Sequence, residues 1–333
     1  MEQIKQVHIS VDLETYSSVN LQKSGLYKYA QSPDFDILLI AYSIEGGPVT
    51  VVDMFEDQKQ GYLARDQFFA LFAAPGAVFH AYNSAFEWYC LHQYMRKVGW
   101  YHDPLKMLKK FRCTMLHGLY CGYPAGLAAT GKALGLPKDK RKLSTGNALI
   151  RYFCVPCKPT KTNGQRARNM PWHDPDRWAL FKEYNRQDVV TEMEIERRLS
   201  NFPVPDDIQA QWVTDQIINA RGVAVDREMI EGALDIGAAV SEQLRTEAME
   251  ITGLENPNSR NQLIRWLEKE LDEEVQDITK DTVATMLRRD LGNENATRML
   301  QLRQEMGKTS TKKYNALELA AGEDGRVRGL LQF

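Results

Sequence analysis

Cysteine is scarce in this chain. There are five in 333 residues, at positions 90, 113, 121, 154 and 157. An odd handful with no secretory leader ahead of it excludes a disulfide scaffold and points to a reducing, cytoplasmic setting. No apolar run reaches membrane-spanning length, so a helical anchor is not expected. There is no internal repeat and no low-complexity segment. Nor is there an excess of charge: 42 Lys and Arg against 44 Asp and Glu give a formal net charge of −2. Nucleic-acid binding therefore cannot be argued from overall charge and would need a local basic patch. What remains is ordinary globular composition, 43% apolar and 26% charged, in a chain long enough for two domains.

The chain is organised around its first strand, residues 5–15. Val7, Ile9, Val11 and Leu13 alternate with polar residues, which is the period of a half-buried strand. Side chains two apart share a face, so Asp12 and Glu14 stand together. Two adjacent carboxylates repel unless something positive lies between them, and a divalent metal does that. The other reading is the solvated face of an edge strand.

Further strands are expected at 36–44, 49–53 and 77–81, with a Glu45-to-Pro48 turn closing a hairpin. Helices are expected at 66–73 and 85–98. Three strands in meander, then helix, strand and helix, predict a mixed α/β sheet with helices packed on it. Asn83 and Ser84 are candidate N-caps for the helix after the fourth strand. Glu87 falls in its first turn, where the helix dipole favours an acid. Glu87 reads either as that capping acid or as a third carboxylate delivered to the end of the sheet. A helix over 174–199 opens on Asp174-Pro175, and it carries Tyr184 and Asp188 one turn apart on one face.

Between Lys132 and Arg168 the chain turns basic. Lys138, Lys140, Arg141, Lys142, Arg166 and Arg168 are candidate DNA-phosphate contacts, against a solvated face as the plainer reading. Cys154 and Cys157 have zinc-like spacing but no second pair, so buried or incidental thiols are expected. Phe202 to Asp207 marks the domain boundary, giving domains 1–205 and 206–333. The second reads as all-helical, with helices at 208–220, 226–252, 259–271, 279–289 and 295–314. Lys308, Lys312 and Lys313 lie in a second basic, hydroxyl-rich stretch and, with Asn83, are further candidate DNA contacts. Residues 326–333 read as an apolar strand-like run, an edge suited to a partner.

Together, Asp12-Leu13-Glu14 on a first strand, Asn83 to Glu87 opening a helix, and Tyr184 with Asp188 on a later helix carry a resemblance. The chain resembles the DEDD superfamily of 3′→5′ exonucleases in its tyrosine-bearing branch. It is most similar to the proofreading domain of family-A DNA polymerases of phage type. The resemblance implies a ribonuclease H-like mixed sheet over 1–205 and a thumb-like helical region after it, ending at the start of a palm. It implies two Mg²⁺ or Mn²⁺ ions, about 4 Å apart, flanking a scissile phosphate. By it, Asp12 bridges both ions, Glu14 and Asp188 hold the first, Glu87 supports the second and Tyr184 orients the attacking water. The second motif usually ends in Asp, so Glu87 is a departure that reaches one methylene further.

The implied activity is a 3′→5′ exodeoxyribonuclease without polymerase activity of its own. The implied partners are a single-stranded DNA 3′ end, primer–template DNA and a separate polymerase chain, with no membrane. The implied compartment is cytoplasmic, that of a bacterial host if phage-encoded. Two other readings stand beside this one: a weakly catalytic DNA-binding scaffold that pairs with a polymerase chain, and an RNA-processing exonuclease of the same superfamily.

Overall fold

The computed structural model describes residues 5–56, 59–100, 103–308 and 312–333. Strand β1 (Val7–Tyr16) is followed by α1 (Leu21–Ala30), β2 (Asp36–Ile44), β3 (Thr50–Asp53), α2 (Lys59–Ala70) and β4 (Ala77–Ala81). Then come α3 (Ser84–Lys97), α4 (Pro104–Lys109), β5 (Phe111–Cys113), α5 (Thr114–Tyr120), α6 (Leu127–Ala133) and α7 (Gly146–Phe153). The series closes with α8 (Pro175–Leu199) and α9 (Asp206–Arg221). The strands form one five-stranded sheet in the order β3-β2-β1-β4-β5. β1 pairs antiparallel with β2 and parallel with β4, so the sheet is mixed as the sequence predicts. It is the three-strand meander extended by further strands that a ribonuclease H-like sheet requires.

Burial on both faces explains the strand composition. Ile9, Val11 and Leu13 enter a large core with Trp88, Leu91, Phe79 and Phe111. Leu38 and Leu39 of β2 pack instead with Phe153, Trp178, Phe181 and Tyr184. β2 is therefore apolar on both sides, as a central strand covered twice must be. The ladder between β1 and β2 slips at Glu14, which faces Leu39 while Thr15 faces Ile37. One extra residue on β2 makes this a β-bulge, a device that re-aims neighbouring side chains.

Several expectations need correction. The helix expected from 66 begins at Lys59, and a 3₁₀ turn over 71–73 follows it. Strand β5 and helices α4 to α7 carried no clear period, because each is only three to eight residues long. Neither Asn83 nor Ser84 makes the expected side-chain cap. Asn83 sits in the left-handed region at φ 71°, and its carbonyl, not its amide, takes the Phe86 N–H at 2.9 Å. The helix expected over 295–314 is two helices, 294–306 and 312–320, parted at Gly307, with Thr309 to Thr311 outside the described residues. The strand-like run after Arg326 is a strand for two residues only. Asn219 holds its later part, accepting from the Leu331 N–H and donating to the Leu331 carbonyl.

The chain divides into two compact units, Met1–Val223 with Arg326–Phe333, and Ala224–Gly325. The sequence puts its boundary at 205, before α9. Helix α9 packs with the first unit: Trp212 is 4% exposed in the sheet's main core, with Ile208, Val213 and Ile217 beside it. A proline-rich joint marks where a helix starts, not which core it joins. The second unit contains α10 (Arg227–Thr252), α11 (Arg260–Leu271), α12 (Lys280–Met286), α13 (Glu294–Met306) and α14 (Lys312–Ala320). Its core is Ala248, Leu263, Leu267, Met299, Leu300 and Leu302, with neighbours from the loops. Trp212→Ala should lower the stability of the first unit by about 3–5 kcal/mol, the usual cost of deleting a buried aromatic. Urea denaturation followed by circular dichroism checks this, and a cost under about 1 kcal/mol would detach α9 from that core.

Candidate metal centre

Helix α8 runs along β1 in the opposite direction. Asn185 Nδ2 donates to Asp12 Oδ2 at 2.7 Å and to the Asp12 carbonyl at 3.2 Å, which fixes the register between the two elements. One turn on, Asp188 meets the strand's carboxylates. Asp12, Glu14 and Asp188 each offer an oxygen within 4.8 Å of the others. Glu14 and Asp188 are buried and Asp12 is half-buried.

Such a group resists ionisation. Burial, then the charge of Asp188, raises the Asp12 carboxyl to about 8. Burial, then Asp12, pushes Glu14 well above the usual carboxylate range. Burial also raises Asp188, with Lys142 working against it. Lys142 Nζ donates to Asp188 Oδ2 and lies 4.8 Å from the centre of the Tyr184 ring. One ammonium offsets one of the charges. Asp188 Oδ1 is buried with no hydrogen-bond partner among the described residues. Donors that are all oxygen, an orphaned carboxylate atom and carboxyls shifted upward chiefly by burial fit hard divalent cations such as Mg²⁺ or Mn²⁺.

Glu87 comes in from the first turn of α3. It is 4% exposed, its Oε2 has no partner among the described residues, and burial followed by the Asp12 charge raises its carboxyl well above normal. It faces the group without joining the tight trio. Tyr184 is 2% exposed and stacks on Phe181. Burial, then Asp188, drives its hydroxyl upward, so it stays a phenol.

Three residues that the structure brings to the site were not among the sequence candidates for it. Asn185 is one, although its place three residues before Asp188 on the same helix face could have suggested it. The Cys154 thiol donates to Glu14 Oε2 at 3.8 Å, which makes it a buried neighbour of the acids. Gly146 is the third. A β-carbon there would collide with Tyr184 Cε2 and lie 2.7 Å from its hydroxyl oxygen, so only glycine lets α7 close over that ring.

The basic candidates are dispersed. Lys142 turns into the acids. Arg141 Nε donates to the Leu136 carbonyl at 2.6 Å. Arg166 holds its own loop through Asn169 and the Asn163 carbonyl. Arg168 lies 3.9 Å over the Tyr16 ring and 3.3 Å from Asp36. Lys138 is exposed and Lys140 half-buried, both on a 3₁₀ turn. Lys308, Lys312 and Lys313 are exposed on the second unit.

No family model matches the chain. It is 42% identical over 326 residues to a DNA polymerase of Bacillus phage SP02, a match covering 98% of this chain and 48% of that protein. The chain thus spans about half the length of the curated relative it matches. Among solved structures it is similar to the POL domain of Pol1 from M. smegmatis in complex with DNA primer-template and dNTP. That likeness has TM-score 0.48 at 15% identity, covering 97% of this chain and 48% of that one. It is also similar to the family B DNA polymerase of Pyrobaculum calidifontis, with TM-score 0.39 at 15% identity, covering 98% of this chain and 48% of that one.

The carboxyl shifts have a sign that can be measured. Asp12 holds its proton in the folded chain up to about pH 8, while the unfolded group loses it near 3.8. Unfolding therefore releases a proton across that window, and stability falls as pH rises. His80, lowered by burial to about 4 against 6.5 unfolded, works the other way below 6.5. Calorimetry of the metal-free protein should show Tm falling between about pH 6.5 and 8, with Mg²⁺ recovering more at the upper end. Asp12→Asn should flatten the slope.

Proposed function

We propose that the first unit is a metal-dependent 3′→5′ exonuclease acting on DNA, and that it serves as the proofreading part of a DNA polymerase. The observation that carries this is the convergence of Asp12, Glu14 and Asp188 under the Tyr184 hydroxyl, with Glu87 facing them. Likeness to a phage DNA polymerase supports the polymerase setting. Bound between these carboxylates, two divalent ions would supply Lewis-acid activation of water and neutralise charge at the scissile phosphate. Asp12, Glu14 and Asp188 would hold these ions, with Asp12 shared between them, and Glu87 would support the second. Asn185 fixes the Asp12 carboxylate. Tyr184, kept protonated, orients the attacking water through its hydroxyl. Gly146 lets the helix above press that ring into place. The acids take up charge where a cation answers it, and at Asp188 the Lys142 ammonium does so.

The helical second unit is read as the thumb that grips primer–template, and a polymerase palm is read as the partner, in a second chain or in the same protein. Measured alone, these 333 residues are expected to incorporate no nucleotide on a primed template. The rival is a weakly catalytic DNA-binding scaffold. The Lys142–Asp188 pair favours it, because a lysine can stand where a cation would.

A 5′-labelled single strand should shorten from its 3′ end with Mg²⁺ or Mn²⁺ and be protected by EDTA. Asp12→Ala and Asp188→Ala should each lose about 10²-fold or more in kcat, and Tyr184→Phe less. Gly146→Ala should cost at least as much as Tyr184→Phe. Glu87→Ala should fall with Asp12→Ala, while Glu87→Asp stays active. No shortening with either metal would leave the scaffold reading.

DNA affinity should fall steeply with salt. Charge removal at Lys138 and Lys140, or at Lys308, Lys312 and Lys313, should flatten the slope of log K against log salt by about one unit for every phosphate no longer neutralised. An unchanged slope would make these residues plain solvated surface.

A further inference from the structure

The seam between α8 and β1 continues past the acids just described. Glu192 lies one turn beyond Asp188 and meets Ser10 of β1, and Glu196 lies one turn further. His80 of β4 stands beside Ser10 in the sheet. His80, Glu192 and Glu196 each bring one donor atom within 4.8 Å of the others. The His80 Nδ1 to Glu196 Oε1 distance is 3.9 Å, too long for a hydrogen bond. Metal–ligand bonds of about 2.0–2.2 Å at a tetrahedral angle space two ligands about 3.4 Å apart, so a shift of about half an ångström brings both atoms onto one ion.

Each of the three is fastened from behind. His80 Nε2 is 2.8 Å from His8 Nδ1. Thr114 Oγ1 donates to Glu192 Oε1. His117 Nδ1 lies 3.0 Å from Glu196 Oε2, and its Nε2 donates to the Phe202 carbonyl at 2.8 Å. This leaves one atom of each pointing inward. His80 Nδ1 and Glu192 Oε2 are buried with no hydrogen-bond partner among the described residues, and Glu192 is only 2% exposed. In the tautomer in which His80 Nε2 donates to His8, its Nδ1 turns a lone pair toward two carboxylates. Metal ligands show this pattern: the outer atom held by a partner that fixes tautomer and rotamer, the inner atom free.

An opening of about 170 Å³ reaches the group, lined by His8, His80, His117 and Glu196 among others, and is large enough for an ion with water. The guanidinium of Arg112 at that opening is tied to the carbonyls of Lys109 and Phe111.

We propose that His80, Glu192 and Glu196 form a second metal site, separate from the oxygen-only cluster, that takes a divalent first-row transition ion of the zinc class. An imidazole beside two carboxylates suits such an ion better than Mg²⁺, and three protein ligands leave a fourth position for water. The ion would pin β4 to α8 within two turns of the nuclease acids and so steady the helix that carries Tyr184 and Asp188. The site stands whether or not the exonuclease reading does.

Equilibrium dialysis of the full chain against Zn²⁺, in excess Mg²⁺, tests the proposal. Wild type and Asp12→Asn should each retain one Zn²⁺ per chain. His80→Gln, Glu192→Gln and Glu196→Gln should each bind it roughly tenfold more weakly or worse. Glu196 is the least buried of the three, so its variant keeps the test alive if the others fail to fold. Wild type loaded with Co²⁺ in the same buffer should show the visible absorption of a four- or five-coordinate nitrogen–oxygen site, a readout that needs no variant. Zinc retention that vanishes in Asp12→Asn would overturn the proposal, as would retention unchanged in Glu196→Gln or a purely octahedral cobalt spectrum.

Discussion

Carboxylate burial is the constraint on which the first unit depends. Helix α8 lies antiparallel on β1 and presses Asp188 and Glu192 against a strand that already carries Asp12 and Glu14. Ions of one sign cannot be stacked in a low-dielectric seam without an answering charge. The protein answers some of it. Lys142 reaches Asp188, Asn185 donates to Asp12, Thr114 to Glu192 and His117 to Glu196. The answer is incomplete, and Glu87, Asp188 and Glu192 each keep an oxygen unpaired among the described residues. A seam built only for stability would be apolar, as the opposite face of β1 is.

The rest of the unit reads as support for that seam. The five-stranded sheet is covered on both faces, which holds β1 straight between β2 and β4 and fixes which of its residues meet α8. The bulge opposite Glu14 shifts the strand's pairing where the acids end. The aromatic group of Phe153, Trp178, Phe181 and Tyr184 anchors the N-terminal half of α8 on β2. Gly146 then sets how closely α7 can approach the tyrosine. A rise of 1.5 Å per helical residue and about 3.3 Å per strand residue keeps the two elements in step over Asp188-to-Glu196 and Asp12-to-His8, roughly 12–13 Å each. Two groups of acidic side chains can therefore stand on one helix–strand pair without merging.

Much of this was legible in residues. The period-two run of β1 put Asp12 and Glu14 on one face, and the spacing of Tyr184 and Asp188 put them on one helix turn. The long second strand and the Asp174-Pro175 helix start came out as expected, because strong periodicity and cap chemistry act locally. The short elements between Pro104 and Phe153 did not, since three to eight residues are too few for a period to show. The basic segment looked like one surface and is not. Lys142 turns inward and Arg168 stacks on Tyr16, because a long cation settles on the nearest buried acid or ring, which no run of letters displays.

Local chemistry in the sequence determined the sheet's central strands, the acidic positions on β1 and the face of α8 that bears Tyr184 and Asp188. The tertiary structure decided the rest. It set α8 antiparallel to β1, brought Cys154, Asn185, Lys142 and Gly146 to the acids, placed α9 in the first unit's core, and gathered His80, Glu192 and Glu196 from elements far apart in the chain. Those outcomes depend on pairings distant in sequence, such as Lys142 to Asp188 across 46 residues and Asn185 to Asp12 across 173. Pairings of that range are set by how two hydrophobic faces bury each other, and periodicity within one element does not specify its partner in another.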